Sequence, residues 1–233
     1  MSLPRLLVFA SGTEEGGGSG FVKLVEASRD GVLQAEIVGV VSNHTNGGVR
    51  QKADGLNVPF LHFDGPFNAQ NYQDHVCNTQ AEFVSLSGWL KLVAGLDPRM
   101  TINIHPGPLP YLGYTQDFGG PGMYGHHVHE AVMQAYHVGK LTESRVSMHF
   151  VTEKYDEGPV FFSHPVPILT TDNAEKLGTR VNKFEHQWQA IVTNLVVRGQ
   201  IHWDGEDPDS LVVPAVTNVP HLVGRAHSPQ AGA

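Results

Sequence analysis

The sequence predicts an α/β protein built on a mostly parallel, twisted sheet with helices on both faces. Three observations carry this. Short apolar runs alternate with stretches of helical periodicity, joined by short links. A glycine-rich loop follows the first apolar run directly. The 233 residues are 40% hydrophobic and 16% charged, with 26 Gly and 15 Pro, which excludes a disordered chain and implies many shaped loops.

The elements follow in order. Arg5 to Ala10 reads as a buried strand, and Ser11 to Gly20 as the glycine loop. Phe21 to Ala27 has helical spacing, with Phe21, Leu24 and Val25 on one face. Ala35–Val41 is a second strand, Gly48–Gly55 a helix and Val58–Phe63 a third strand. Asn68–Thr79 is a polar helix, Glu82–Leu86 a fourth strand and Met100–Ile104 a fifth. A long Gly/Pro/His loop, Pro106–Gly125, leads to a helix over Val128–Tyr136. Val146–Val151 and Pro159–Val166 are strands separated by a turn at 155–158. Asp172 or Asn173 caps a long helix that runs to about Arg198. Residues 201–233, with Pro208, Pro214, Pro220 and Pro229, should be mostly irregular. With no internal repeat and no linker, residues 1–233 read as one domain.

Charge excludes several functions. A net charge of -8 leaves no surplus of Lys and Arg for non-specific nucleic-acid binding. No apolar stretch is long enough to span a membrane. The single Cys excludes a disulfide scaffold and a four-cysteine zinc module. The expectation is a soluble cytoplasmic protein acting on small molecules, with no nucleic-acid or membrane partner. Nothing in the sequence sets an oligomeric state.

Three segments carry candidate chemistry. The loop Ser11-Gly12-Thr13-Glu14-Glu15-Gly16-Gly17-Gly18-Ser19-Gly20 precedes a helix whose first N–H groups lack partners, which suits an anion such as phosphate. It lacks the Lys of a P-loop and the acid of a dinucleotide site, so a plain surface turn is the competing reading. Asn103 and His105 alternate onto one face at the carboxyl end of the fifth strand, where α/β proteins bind ligands. An amide and an imidazole there suit oxyanion stabilisation and proton transfer. Asp156 reads locally as an Asx-type turn residue, although a carboxylate beside His105 would orient and charge it. His126, His127 and His129 match no metal-ligand pattern; capping the helix or contacting an anion is the better reading, and no metal is expected.

These segments resemble the folate-dependent formyltransferases. Residues 102–110, INIHPGPLP, resemble the family's N-I-H-P-x-L-L-P segment. Residues 118–131, FGGPGMYGHHVHEA, are similar to a subgroup's F-G-G-K-G-M-Y-G-x-x-V-H-x-A. His149 to Thr152 with Asp156 to Val160 resemble H-F-V-T…D-x-G-P-V, and Ser87 to Leu92 resemble A-G-F/Y-M-R-I/L.

The resemblance covers roughly residues 5 to 200 and implies a Rossmann-like formyltransferase fold. It implies 10-formyltetrahydrofolate as co-substrate and phosphoribosylglycinamide as amine acceptor. It makes Asn103, His105 and Asp156 the catalytic triad, with His105 protonated and Asp156 holding the charge. It assigns Gly12, Thr13, Gly18, Ser19, Gly20 and Glu185 to the acceptor. Trp89, Leu90, Lys91, Leu92, Thr152, Glu153, Lys154 and Tyr155 fall to the folate. Residues 1–100 become a phosphate-binding half, and 101–200 a catalytic and folate-binding half.

Departures from the pattern are local. The glycine loop is longer than the usual S-G-x-G-S-N, and Gly20 stands where Asn is usual. Tyr111–Asp117 is inserted, the Arg that commonly precedes Tyr72 is absent, and Pro121 replaces Lys. A sugar-nucleotide acceptor and a non-catalytic phosphate-binding module are the alternatives. A tRNA-acting relative would need a further domain and a basic surface.

Overall fold

The computed structural model describes residues 2–215 and 217–227. Seven strands form one sheet: β1 (Arg5–Phe9), β2 (Glu36–Ser42), β3 (Phe60–His62), β4 (Phe83–Ser87), β5 (Thr101–His105), β6 (Glu143–Phe150) and β7 (Val160–Pro167). Their spatial order is β3-β2-β1-β4-β5-β6-β7. The first five are parallel; β6 and β7 run antiparallel to their neighbours, so the sheet is mixed at one side. The order reverses between β1 and β4, and the crevice outside their carboxyl ends is where an open sheet of this kind takes a ligand.

The β1 residues show why these runs fold as central strands. Leu6, Val8 and Ala10 face one side, packed with Phe21, Leu24 and Val25 of α1 (Ser19–Arg29) and Val49 and Ala53 of α2 (Gly48–Leu56). Leu7 and Phe9 face the other, packed with Tyr72 of α3 (Ala69–Thr79) and Trp89. A strand buried on both faces reads as a continuous apolar run. A third cluster packs β5, β6 and β7 with α4 (His126–His137) and α5 (Ala174–Val197). Asn68 and Asn173 cap α3 and α5 through their side-chain oxygens, at Asn71 N and Lys176 N.

Among the described residues the C-terminal region is mostly irregular, as expected, but it holds short elements that the sequence did not show: a 3-10 turn, Pro208–Ser210, leads into β8 (Val212–Pro214), which pairs in parallel with β9 (Arg225–His227). Trp203, Leu211 and Val213 are buried against the third core cluster. Ser163 N–H donates to His221 O and Val223 N–H to Phe161 O, so this segment covers the free edge of β7. Strands of three residues separated by prolines have too little periodicity to show in sequence. Pro229 lies outside the described residues.

Candidate active site

The carboxyl ends of β1, β4 and β5 open into a cavity of about 610 Å³. Its two ends are built differently. At one end lies the glycine loop. Thr13 N–H donates to Gly16 O at 2.9 Å and Gly16 N–H to Thr13 Oγ1 at 2.9 Å, closing a tight turn that leaves Glu14 and Glu15 exposed. Gly17 and Gly18 then run at φ 87° and 74°, the left-handed region that glycine adopts without cost. A Cβ at Gly17 would stand 2.3 Å from Gly12 Cα, so only glycine lets the two backbone stretches touch. The first helical hydrogen bond of α1 runs from Val22 N–H to Gly18 O, so the N–H groups of Ser19, Gly20 and Phe21 precede the helical ladder and face the positive end of its dipole. Gly12, Thr13, Gly18, Ser19 and Gly20 all line the cavity, as does Glu185 of α5.

At the other end stand Asn103, His105 and Asp156, brought together from β5 and the turn after β6. Asp156 adopts φ 55° in that turn, a conformation that Asp tolerates better than most residues. Its Oδ2 accepts from Gly120 N–H at 3.0 Å, and its Oδ1 from Asn103 Nδ2 at 3.3 Å. His105 Nδ1 lies 3.7 Å and His149 Nε2 3.4 Å from that same Oδ1. The carboxylate is therefore no simple turn residue. Burial pushes Asp156 up, but the hydrogen bond to His149, the two imidazoles and Gly120 N–H together hold it down to about 2.

Carbonyl oxygens only accept, so one nitrogen of each imidazole carries a proton: His105 Nε2–H donates to Phe118 O at 2.9 Å and His149 Nδ1–H to Phe150 O at 2.7 Å. That turns His105 Nδ1 toward Asp156 and sets His149 Nε2 3.1 Å from Asn103 Nδ2 and 3.4 Å from Asp156 Oδ1. Burial of His105, 3% exposed, pushes its pKa down, and the Asp156 carboxylate opposes that by favouring its charged form. Asn103 Nδ2 lies within hydrogen-bonding distance of both Asp156 Oδ1 and His149 Nε2.

The inserted segment explains how Phe118 reaches His105. Tyr111 and Tyr114 exchange backbone hydrogen bonds of 3.0 and 2.8 Å and stack at 5.1 Å, with the Arg145 guanidinium 4.6 Å from the Tyr114 ring. The loop closes there, and Phe118 N–H returns to Pro108 O at 2.8 Å. Gly119 then passes so close to Asp156 that a Cβ would stand 2.8 Å from Asp156 Cβ.

The residues expected on the folate divide into three groups. Trp89, Leu90 and Tyr155 line the main cavity. Lys91, Leu92, Thr152 and Lys154, again with Trp89 and Tyr155, line an adjoining recess of about 40 Å³ that also touches Asn103 and Asp156. Glu153 lines neither; its carboxylate accepts from Gly95 N–H at 3.1 Å. Tyr72 fixes the wall between them, its hydroxyl accepting from Trp89 Nε1 at 2.9 Å and donating to Leu92 O at 3.0 Å.

The histidines of α4 do not cap it. The N-cap is Gly125, and the exposed rings of His126 and His127 both approach Glu130 at 3.4 Å. His129 is buried against Gly178, and burial pushes its pKa down to about 4. Among the described residues no group of three or more His, Cys, Asp or Glu is placed to hold a metal.

With this geometry in hand, the family follows from comparison. Residues 4–193 match the model of the family described as "Formyl transferase". The chain belongs to the formyl transferase family. It is 34% identical over 209 residues to a phosphoribosylglycinamide formyltransferase, chloroplastic, of Vigna unguiculata. That alignment covers 85% of this chain and 62% of the relative, so the chain spans under two thirds of that protein's length. An Arabidopsis thaliana protein of the same name is 32% identical, with coverages of 85% and 67%. Among solved structures, glycinamide ribonucleotide transformylase 1 from Symbiobacterium toebii superposes with a TM-score of 0.73 at 25% identity, covering 88% of this chain and 92% of that one.

Sequence reasoning gave no role to two residues that the structure places at the site. His149 faces Asn103 directly across the antiparallel β5–β6 register; a His in a strand gives no sign of its partner. Gln189 is buried in the cavity wall, and its only signal was a polar residue on the inward face of α5.

Proposed function

We propose that this chain transfers the formyl group of 10-formyltetrahydrofolate to the amine of phosphoribosylglycinamide, a step of purine synthesis. The observation that carries this reading is that Asn103, His105 and Asp156 share a cavity with an anion-ready helix N-terminus. One end holds a phosphorylated acceptor while the other handles protons at its amine.

The recess beside Asn103 and Asp156 is too small, at about 40 Å³, to enclose a ring, but its lining suits the edge of a flat one: Trp89, Leu92, Val93 and Val151 supply apolar walls, and Thr152 and Tyr155 the polar atoms. Lys91 and Lys154 at its border suit an acidic tail. When bound there, the folate supplies the formyl carbon.

His105 acts first as a base. Burial favours its neutral form, and its Nδ1 is 3.7 Å from a carboxylate, so it takes a proton from the attacking amine and becomes an imidazolium stabilised by Asp156. That proton then gives Asp156 a new donor. One Asn103 N–H is released to face the oxyanion that forms on the formyl carbon. His105 returns the proton to the leaving nitrogen, and Asp156 stays ionised throughout because its pKa is held at about 2. His149 keeps Asn103 in place.

The test is to mix the protein with 10-formyltetrahydrofolate and phosphoribosylglycinamide and follow folate deformylation. Turnover that requires the acceptor is expected. No turnover with this acceptor, but turnover with an amino-sugar nucleotide, moves the substrate and keeps the chemistry. No turnover with either sinks the reading.

A further inference from the structure

The Tyr111–Asp117 insertion has no part in the chemistry above, yet it leads straight onto the catalytic histidine. Phe118, the next residue, accepts from His105 Nε2–H through its carbonyl at 2.9 Å. That bond grips the ring nitrogen that does not face Asp156. A hydrogen bond at one imidazole nitrogen fixes the tautomer and the aim of the other. A proton can arrive at Nδ1 only while Nε2 keeps its own, and the Phe118 carbonyl is the acceptor that keeps it there.

The carbonyl is held from both sides of its peptide. Phe118 N–H donates to Pro108 O at 2.8 Å. Gly119 N–H donates to Asp117 Oδ1 at 3.0 Å, an Asx-type turn that spans Phe118. The Phe118 side chain packs against the core cluster of β5, β6, β7 and α4. Farther back, the insertion is clasped to β6. Tyr111 and Tyr114 pair as an antiparallel bridge, and the Arg145 guanidinium stands 4.6 Å from the Tyr114 ring. Arg145 is itself fixed: Nη1 donates to Ser163 O at 3.0 Å and Nη2 to Glu143 Oε1 at 2.6 Å. Arg145, Ser147 and His149 alternate onto one face of β6. Each holds a different piece of the catalytic segment: Arg145 the inserted turn, Ser147 Oγ–H the Gly107 carbonyl at 2.8 Å, and His149 the Asn103 amide at 3.1 Å.

We propose that the Tyr111–Asp117 insertion is a positioning element for His105, in which Tyr114, clasped by Arg145, and Asp117, which closes the turn, hold the Phe118 carbonyl on His105 Nε2–H. This rests on the function proposed above. Neither Tyr114 nor Asp117 lines the cavity, so both act through the Phe118 peptide.

The experiment compares Tyr114→Ala and Asp117→Ala, each beside its conservative counterpart, Tyr114→Phe and Asp117→Asn, with the unaltered protein. Both Ala variants should lower kcat about 10-fold at saturating substrates, with each KM within about twofold, because no substrate contact is lost. Phe still stacks on Arg145, and the Asn carbonyl still accepts from Gly119 N–H, so these variants should recover kcat to within about twofold of the unaltered protein. The second readout needs no substrate. Nitrogen NMR spectra of the histidine rings, with His105 assigned by the loss of its signals in His105→Ala, should show neutral His105 as the Nε2–H tautomer in the unaltered protein. The two Ala variants should show a mixture of tautomers. An insertion that only supports the fold would lower the melting temperature and leave kcat and tautomer unmoved. Unchanged kcat in both Ala variants, conservative variants as slow as the Ala ones, or one tautomer in all the proteins overturns the proposal. If the unaltered protein shows no turnover at all, the proposed function falls, while the tautomer spectra still decide on the insertion.

Discussion

The two ends of the cavity are made of different materials. The glycine-loop end is backbone: Gly12, Gly17 and Gly18 hold positive φ, and the first N–H groups of α1 precede its helical hydrogen bonds. The catalytic end is side chain: Asn103 reaches His149 across 46 residues and Asp156 across 53. The first is specified within ten consecutive residues, because it needs only glycines before a helix. The second exists only after the sheet has closed. A change at the backbone end should therefore act on acceptor binding and local stability, and one at the side-chain end on turnover.

The largest effect tests the side-chain end. His105→Ala should lower kcat about 10³-fold at saturating substrates while the acceptor KM moves little; turnover near that of the unaltered protein would refute the assignment. Asp156→Asn comes next, with kcat falling about 10²-fold. On the proposed mechanism His105 is a base, and burial pushes its pKa below the usual imidazole value, so kcat should rise with pH on the acid side and level off. Asp156 opposes that depression, so its removal should move the acid limb to lower pH. A limb moving the other way would mean that His105 works as an acid.

The backbone end should break differently. Gly17→Ala places a Cβ 2.3 Å from Gly12 Cα at φ 87°. It should cost roughly 3 kcal/mol of stability by denaturant titration and raise the acceptor KM, with kcat at saturation largely kept. A kcat loss matching that of His105→Ala would erase the distinction between the two ends.

The smallest effect lies between them. Glu185 ionises near 7 when folded and at its ordinary value when unfolded, so the folded state holds the extra proton. Its stabilising contribution is complete at low pH and is lost as pH rises through about 7. Glu185→Gln removes that loss. The melting temperature of the variant relative to the unaltered protein should climb by about 5 °C between acid and neutral pH. A flat difference would mean that folding leaves the Glu185 carboxyl at its ordinary pKa.

Much of this was legible in the sequence, for identifiable reasons. β1 and β2 are apolar on both faces and β4 on the Val84/Leu86 face, and their runs, bounded by Ser and Gly, show directly. Asn173 capping α5 is a local signal. Asn103 and His105 share a face because strand side chains alternate. The C-terminal strands were not legible, because three-residue strands among prolines carry no period. His149 was visible only as part of a motif, since its role depends on antiparallel register.

The sequence by itself determined the order of strands and helices, the glycine loop and the carboxyl-end placement of Asn103 and His105. Those follow from periodicity, glycine conformation and alternation, all of which act over a few residues. Only the tertiary structure decided that Asp156 faces His105 rather than closing a turn. It also decided that burial pushes the His105 pKa down while Asp156 opposes it, and that Gln189 is buried against Gly20. Those depend on burial and on contacts between distant segments, and desolvation has no value until the fold has excluded water.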